Sequence, residues 1–349
     1  MSQDIMLTVD YHDQNCVVRR RDMATGKEAV RKIATERGTL RTVMTAAVRE
    51  AQARGGRAVW IQESTTGWAR MQQLAVECGI EFVLANVLQM PLPPKAKRRK
   101  TDTIDTARLQ REYLNGELPR AHQPAVEWRQ LRRLVSMREN LVRRRTSISN
   151  RLNRYVAHET WELWPGVKSA DGLARLRSLP LAEADRQLVN WQLEELGQIA
   201  RRLIEVETSM LQHYRQSAEA KRLDAIRGLG PVSSIAIVAR IGPIERFETP
   251  EQLIAFAGLA PGIRQSDATS RGGKIGGGGT DKCLRHYLIE ATVWARTIPR
   301  YQAAYERTER RRGKKIARLT VARMLLRSIH KMLSEGVEFE AEVHCPSGH

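Results

Sequence analysis

The chain has 349 residues and carries 58 Lys and Arg against 39 Asp and Glu, a formal net charge of +19. This length is enough for two or three domains, and the positive charge predicts a polyanionic partner, because Lys and Arg release counterions when they neutralise phosphates. The four cysteines form no CxxC pair, which argues against a zinc ribbon or a disulfide framework. No apolar run is long enough to cross a bilayer and the N-terminus has no signal-peptide pattern, so we expect a cytoplasmic protein without a membrane partner.

The first third of the chain alternates between strand and helix patterns. Period-2 and β-branched stretches predict strands over 4–11, 16–20, 27–33, 57–62 and 81–85, and apolar residues at helical spacing predict helices over 39–54 and 68–78. A Pro-rich loop and the basic run Lys95–Lys100 follow, and a further helix begins near Asp102. Three strands, then helix, strand, helix, strand and helix is the order of a ribonuclease-H-like (RuvC-like) α/β fold, which we assign to residues 1–118.

The remainder is predicted to be helical. Over 119–220, two apolar stripes with 3-then-4 spacing flank a segment containing Trp and Pro, which predicts either an antiparallel helical hairpin or a coiled-coil dimerisation arm. The exposed arginines of this arm suit a solvated face and a nucleic-acid track equally well. Residues 221–335 form a Gly-punctuated, mainly helical C-terminal domain, and 336–349 a loose tail. Within that domain GLGP at 228–231 has helix-hairpin-helix character, although an ordinary joint between helices gives the same pattern.

Four carboxylates lie at predicted element ends. Asp10 ends the first strand, Glu63 follows the strand RAVWIQ, and Asp102 and Asp105 lie three apart at the start of a helix. In the predicted fold these ends converge, and the repulsion between the carboxylates would require divalent metal; two ions ~4 Å apart would polarise a phosphate. Each acid taken alone also fits a structural role at a strand end or a helix start.

The motifs VDYHD, QESTTGW and KTDTIDTARL resemble the N-terminal domain of the transposases typified by insertion sequences 110 and 1111. The resemblance implies a RuvC-like domain whose Asp-Glu-Asp-Asp set corresponds to Asp10, Glu63, Asp102 and Asp105, binding Mg²⁺ with Mn²⁺ as the alternative ion. The chain departs from the family pattern by an extra residue between Glu63 and Gly67 and by Thr at 106 in place of Ala.

The segment GLAPGIRQSDATSRGGKIGGGGTDKCLRHYL resembles the part of the same family that carries a nucleophilic serine. The resemblance points to Ser266, with Ser270 as the rival, although the chain has Ser-Asp where many relatives have Ser-Gly. A serine attacking phosphate would form an ester that conserves the bond for rejoining. Expected phosphate or nucleic-acid contacts near the serine are Arg264, Arg271, Lys274 and Arg285. In the basic run they are Lys97, Arg98 and Arg99.

The family resemblance, which spans about residues 4–333, implies a DNA transposase that cuts and rejoins DNA through a serine. It implies guidance by an element-encoded non-coding RNA and a homo-oligomer, dimer or tetramer. Two alternatives remain open at this point: a RuvC-like, metal-dependent junction endonuclease without serine chemistry, and a non-catalytic nucleic-acid-binding protein whose acids are structural.

Overall fold

A computed structural model describes residues 3–90, 102–159, 166–260, 262–264, 271–273 and 280–340. Contacts between residues divide the chain into two compact units, Met1–Gln123 and Pro124–His349. The described residues form a mixed α/β structure with twelve α-helices, and most of the ordered backbone is helical.

The first unit is built on a sheet of five strands among the described residues, in the order β3-β2-β1-β4-β5. The strands are β1 (Ile5–Tyr11), β2 (Asn15–Asp22), β3 (Glu28–Ala34), β4 (Ala58–Glu63) and β5 (Glu81–Ala85). The first three form an antiparallel meander, whereas β1, β4 and β5 run parallel. Central strands covered on both faces need apolar side chains on both, and the residues of β1 are almost all buried.

Helices cover the two faces of this sheet. The helices α1 (Arg37–Gln52) and α2 (Trp68–Cys78) pack on one face, where Leu7, Trp60 and Met44 belong to one core. The helix α3 (Asp102–Leu114) packs on the other face through Leu109. The predicted order of strands and helices is therefore confirmed, with no bound shifted by more than two residues. The assignment to the ribonuclease-H-like family stays a prediction.

The second unit begins with two long helices, α4 (Val126–Glu159) and α6 (Glu183–Gln216), with the short α5 (Ala170–Ser178) between them. Arg138 pairs with Glu207 and Arg144 pairs with Glu195, both at 2.7 Å. Later residues of α4 thus meet earlier residues of α6, so the two helices form an antiparallel hairpin. The hairpin has its own core, which includes the fully buried Leu152.

The rest of the second unit packs around a larger helical core. Its helices are α7 (Ala218–Asp224), α8 (Pro231–Ile241), α9 (Pro250–Phe256), α10 (Lys282–Ala295), α11 (Pro299–Arg312) and α12 (Lys314–Glu335). Two short strands, β6 (Gly262–Arg264) and β7 (Arg271–Gly273), form an antiparallel pair. The last helix contributes nine buried residues and ends where Gly336 takes a left-handed conformation, which glycine adopts readily at helix ends.

Candidate active site

Two of the four predicted carboxylates are neighbours in the sheet. The parallel register of β1 and β4 pairs Ile5 with Ala58 and Val9 with Gln62, and the next positions in that register are Asp10 and Glu63. Neighbouring strands lie about 4.8 Å apart, so the two acidic residues lie side by side at the carboxyl ends of adjacent parallel strands.

The same two carboxylates point to the face that α3 covers. Side chains alternate between faces along a strand, and Met6 of β1 and Ile61 of β4 pack with Leu109 of α3 in one core. Asp10 lies four residues after Met6, and Glu63 two residues after Ile61, so each acid points to the same face as that core residue. Both therefore share a face of the sheet with α3.

The helix α3 carries the other two predicted acids. It begins at Asp102, and the described side chain of Asp105 is half-buried. One residue further on, Thr106 is fully buried and accepts a hydrogen bond from Arg19 Nε of β2 at 3.4 Å. The departure from the family pattern at 106 thus supplies a polar tie between α3 and the sheet.

The surroundings of Asp10 are polar and partly shielded. Its side chain is 14% exposed, and His12 Nε2 lies 3.3 Å from its Oδ2. Burial, and to a smaller extent the charge of Asp10, raises the pKa of the buried Cys16 thiol. The carboxylate of Asp10 therefore lies close enough to His12 and Cys16 to interact with them electrostatically.

The loop after Glu63 is fixed by an aromatic contact. Gly67 has φ +87°, and a Cβ atom there would lie 2.8 Å from the hydroxyl of Tyr11. That hydroxyl accepts a hydrogen bond from Arg70, whose guanidinium lies 5.5 Å from the ring centroid. Only glycine fits this position easily, so the Thr-Gly of the motif brings α2 against the residue that follows Asp10.

The donor set suits a hard divalent cation, because carboxylate oxygens are the ligands that Mg²⁺ prefers. Among the described side chains, a set that leaves out Asp102, no three acidic, histidine or cysteine groups are close enough to hold a metal ion. The structure thus brings Asp10 and Glu63 together, with Asp105 on the helix that covers their face.

The candidate serines lie outside the described residues. Ser266 and Ser270 both fall in 265–270, which connects β6 to β7, and Lys274 follows β7. Arg264 and Arg271 are described by their backbones alone, as a pair in the register of these two strands. The basic residues predicted before α3 are also outside the described set: Lys97, Arg98 and Arg99.

The ends of the serine-bearing stretch, residues 261–279, which we call the serine segment, are held together by described residues. The amide of Asp281 donates to the carbonyl of Phe256 at 2.8 Å. Gly258 has φ +68°, and a Cβ there would lie 2.8 Å from Thr280 Cβ. The predicted phosphate contact Arg285 is half-buried and donates to the carbonyl of Gly258 at 3.3 Å.

A cluster of ionic side chains beside these ends was not predicted. Asp281, 6% exposed, accepts from Arg240 Nε at 2.7 Å and caps α10 through the amide of Leu284 at 2.8 Å. Arg132 of α4 donates to the carbonyl of Ala239 at 2.7 Å. Its pKa is lowered to about 10, chiefly by burial and then by the neighbouring arginines. Within this cluster, only Asp281 has a local sequence signal, an Asp at the start of a helix.

The GLGP motif forms a tight joint between α7 and α8. Gly228 has φ +102°, and a Cβ there would lie 2.8 Å from the carbonyl oxygen of Ala291. Pro231 is the first residue of α8, where its missing N–H costs no hydrogen bond. The joint packs against α10 through Trp294, whose side chain lies beside Gly228. A nucleic-acid role for it stays a prediction.

Within the residues that the structure describes, no helix is both long and apolar enough to cross a membrane. Two family models match the chain. Residues 8–158 match the DEDD transposase model of the IS110 group, and residues 220–306 match the model described as the transposase IS116/IS110/IS902 family. The first covers Asp10, Glu63, Asp102 and Asp105.

Curated relatives agree with the family models. The putative transposase y4qE of Sinorhizobium fredii is 26% identical over 237 residues, 67% of this chain and 57% of the relative. A probable family 20 transposase of Pseudomonas aeruginosa is 29% identical over 171 residues, 47% of this chain and 50% of the relative. The putative transposase y4rJ of S. fredii is 27% identical over 333 residues, 84% of this chain and 82% of the relative.

The chain thus spans only 50% to 57% of the length of the first two relatives, and most of the third. These names favour a transposase over a junction endonuclease. By both matched models and by the names of its relatives, the chain belongs to the IS110/IS116/IS902 family of insertion-sequence transposases.

Proposed function

We propose that the chain is a DNA transposase that cuts and rejoins DNA with a two-part active site. Asp10, Glu63, Asp102 and Asp105 hold Mg²⁺, which Mn²⁺ can replace, and Ser266 is the nucleophile. The observation that carries the proposal is the pairing of Asp10 with Glu63 in one register, on the face that α3 covers. Because like charges at adjacent positions repel, such a pair favours a bound cation.

In the proposed reaction the hydroxyl of Ser266 attacks the phosphorus of the DNA backbone. Its Oγ forms a new P–O bond while the bond from phosphorus to the 3′ oxygen breaks, and the proton lost by the serine hydroxyl is balanced by the proton that the leaving 3′ oxygen takes up to become a hydroxyl. The phosphoserine ester keeps the energy of the broken bond, so the reverse attack by a DNA hydroxyl rejoins a strand. The carboxylates bind and orient the ions, and bound Mg²⁺ would supply charge stabilisation at the phosphate.

The geometry of the second unit supports a positioned serine. The backbone contact of Asp281 with Phe256 and the close approach of Thr280 to Gly258 bring together the residues on either side of the serine segment. Arg323 donates to the carbonyl of Leu259 at 2.7 Å and adds a second arginine to the support that Arg285 gives. A nucleophile on a loop with fixed ends loses less entropy on reaching the attacking geometry.

The partners follow from charge and family. The net charge of +19 suits both DNA and a guide RNA encoded by the element. The proposed contacts are Arg264, Arg271, Lys274 and Arg285 around the serine and Lys97, Arg98 and Arg99 before α3. In this arrangement base pairing by the RNA selects the sequence while the protein contacts backbones.

We assign the two active-site parts to separate domains, residues 1–118 for the carboxylates and 221–335 for the serine. Residues 119–220, the hairpin of α4 and α6, would join subunits of a dimer or tetramer. Residues 336–349 form the tail. The carboxylate domain of one subunit and the serine domain of another would then form one composite active site.

The test is recombination in cells that carry the whole element with its flanks, scored by PCR across the circular junction. We expect Ser266→Ala and Asp102→Asn to abolish the junction, and Ser270→Ala to keep it. Asp13→Asn is the matched control, because Asp13 is an exposed acid, 78% accessible, close to Asp10 in sequence. Junctions in Ser266→Ala would overturn the serine assignment. Junctions in both serine variants but not in Asp102→Asn would indicate the metal-dependent endonuclease.

A further inference from the structure

One arginine beside the ionic cluster is held by aromatic rings. The Cζ atom of Arg246 lies 4.5 Å from the ring centroid of Phe247 and 4.7 Å from that of Phe256. The two ring centroids are 5.3 Å apart, so one guanidinium spans both. Stacking on aromatic faces orients the planar guanidinium and leaves the N–H groups along its edge able to donate.

The other charged groups of this cluster already have partners. Arg132 donates to the carbonyls of Ala239 and Arg240, at 2.7 and 3.1 Å, and so caps the C-terminal end of α8. Arg240 is bound to Asp281, whose other oxygen caps α10. Each oxygen of the one carboxylate of the cluster therefore already has a partner, the side chain of Arg240 or a backbone amide.

Arg246 itself is half-buried, and no described residue accepts a hydrogen bond from it. Burial lowers the pKa of its guanidinium, and the negative charge of Asp281 offsets this only in part. Three guanidiniums and one carboxylate leave this cluster with excess positive charge among the described side chains. Such a site favours an anion from outside the cluster.

The location of Arg246 in the second unit indicates which anion it would bind. Its ring partner Phe256 ends α9, and the carbonyl of Phe256 accepts the amide of Asp281 at 2.8 Å. Arg246 thus stacks on Phe256, whose backbone carbonyl binds the amide of Asp281, two residues after the serine segment. A guanidinium fork matches the two free oxygens of a backbone phosphate.

We infer that Arg246 binds a phosphate group of the DNA strand that the serine segment acts on. The inference rests on the proposed function. The added feature is a preorganised phosphate contact, formed by Arg246 in the turn before α9 and by Phe256 at the end of α9. The aromatic contacts fix the guanidinium before DNA arrives, so binding costs little side-chain entropy.

The experiment measures binding of the purified full-length chain to a fluorescent DNA duplex as KCl is varied. The plot of log K against log salt falls with a slope of about −0.9 per phosphate contact, so losing one contact makes the plot less steep by about 0.9. The ratio of wild-type affinity to Arg246→Met affinity should therefore fall about 3.5-fold between 50 and 200 mM salt. Arg246→Met keeps an unbranched stem over the rings and removes the donors. We expect it to bind about 10-fold more weakly at the low-salt end.

Two further variants separate charge from structure. Arg246→Lys keeps the charge and should keep the slope, while losing the affinity that the fork gives. Arg327→Met is the matched control, because Arg327 is already paired with Glu251 at 3.3 Å and should leave the slope unchanged. A role of Arg246 in packing alone would lower the melting temperature of Arg246→Met and leave its salt slope at the wild-type value, which would overturn the inference.

A single-stranded RNA probe is run in parallel. If Arg246→Met lowers the slope on RNA and not on DNA, the assignment to DNA is wrong. If the wild-type chain shows no salt-dependent binding to DNA, the proposed function fails and the inference falls with it. Wild-type binding together with an unchanged slope in Arg246→Met refutes the inference alone.

Discussion

Replacing Asp281 should destabilise the second unit more than replacing an exposed acid, because the Asp281 carboxylate both caps a helix and pairs with an arginine. It caps α10 by accepting the amide of Leu284 at 2.8 Å, and loss of such a cap costs about 1 kcal/mol. It also neutralises Arg240, whose side chain is only 22% exposed, and stranding that cation costs about 3 kcal/mol, the lower end of the range for buried pairs. Asp281→Ala should therefore lose about 4 kcal/mol of unfolding free energy.

Urea unfolding and thermal melting of the purified chain measure this loss. For a unit of this size the expected change lowers the melting temperature by about 10 °C. Asp281→Asn keeps a capping oxygen and loses the charge, so it should cost about 3 kcal/mol. The difference between the two variants isolates the cap.

A second substitution tests the ionic part. Arg240→Met in the Asp281→Asn background removes the stranded cation and should recover most of the lost stability, to within about 1 kcal/mol of wild type. If Asp281→Ala melts within a degree or so of wild type, or if Arg240→Met makes the Asn variant worse, the cluster does not hold the ends of the serine segment as argued.

Three further predictions concern stability and reactivity. Gly67→Ala should lower the free energy of unfolding in urea more than Gly26→Ala does. Both glycines have positive φ, but only at Gly67 would the new Cβ lie 2.8 Å from a tyrosine hydroxyl; equal losses would contradict the contact. Leu152→Ala should cost about 3 kcal/mol, against about 0.5 or less for the exposed Arg151→Ala, and similar values would contradict a packed hairpin core. Burial raises the pKa of Cys283 to about 12, so iodoacetamide at about pH 8 should label it, by mass spectrometry, only in urea; labelling of the native chain would contradict this.

The first unit could be predicted from sequence because its signals are local. Asp10 is the next-to-last residue of the first strand pattern, Glu63 follows RAVWIQ, and TDTIDTARL starts a helix, so the element order and the acids near the element ends follow from periodicity. The register that pairs Asp10 with Glu63 is not a local property. It depends on how β1 and β4 align across a long connection, and the structure supplies it.

The hairpin was one of two predictions for the apolar stripes of α4 and α6. A stripe identifies the buried face of a helix and not the partner that covers it. The pairs Arg138–Glu207 and Arg144–Glu195 show that α6 covers α4 within one chain. Association between chains through this arm stays a prediction.

The ionic cluster could not be predicted, because its members are far apart in the chain. Arg132 reaches the carbonyl of Ala239, 107 residues away, and Arg240 reaches Asp281 across 41 residues. Single arginines in such sequences also suit an exposed surface. The cap at Asp281 alone had a local signal, an Asp directly before the apolar helix pattern KCLRHYL.

Trapping the covalent intermediate tests the proposed serine mechanism most directly. Purified chain, guide RNA and labelled DNA of the element are combined with Mg²⁺ and stopped in denaturant, and the protein–DNA adduct is digested and sequenced by mass spectrometry. We expect an adduct on the peptide that contains Ser266, present in wild type and absent from Ser266→Ala and Asp102→Asn. DNA cut by the wild-type chain without an adduct, or an adduct that maps to another residue, would contradict it.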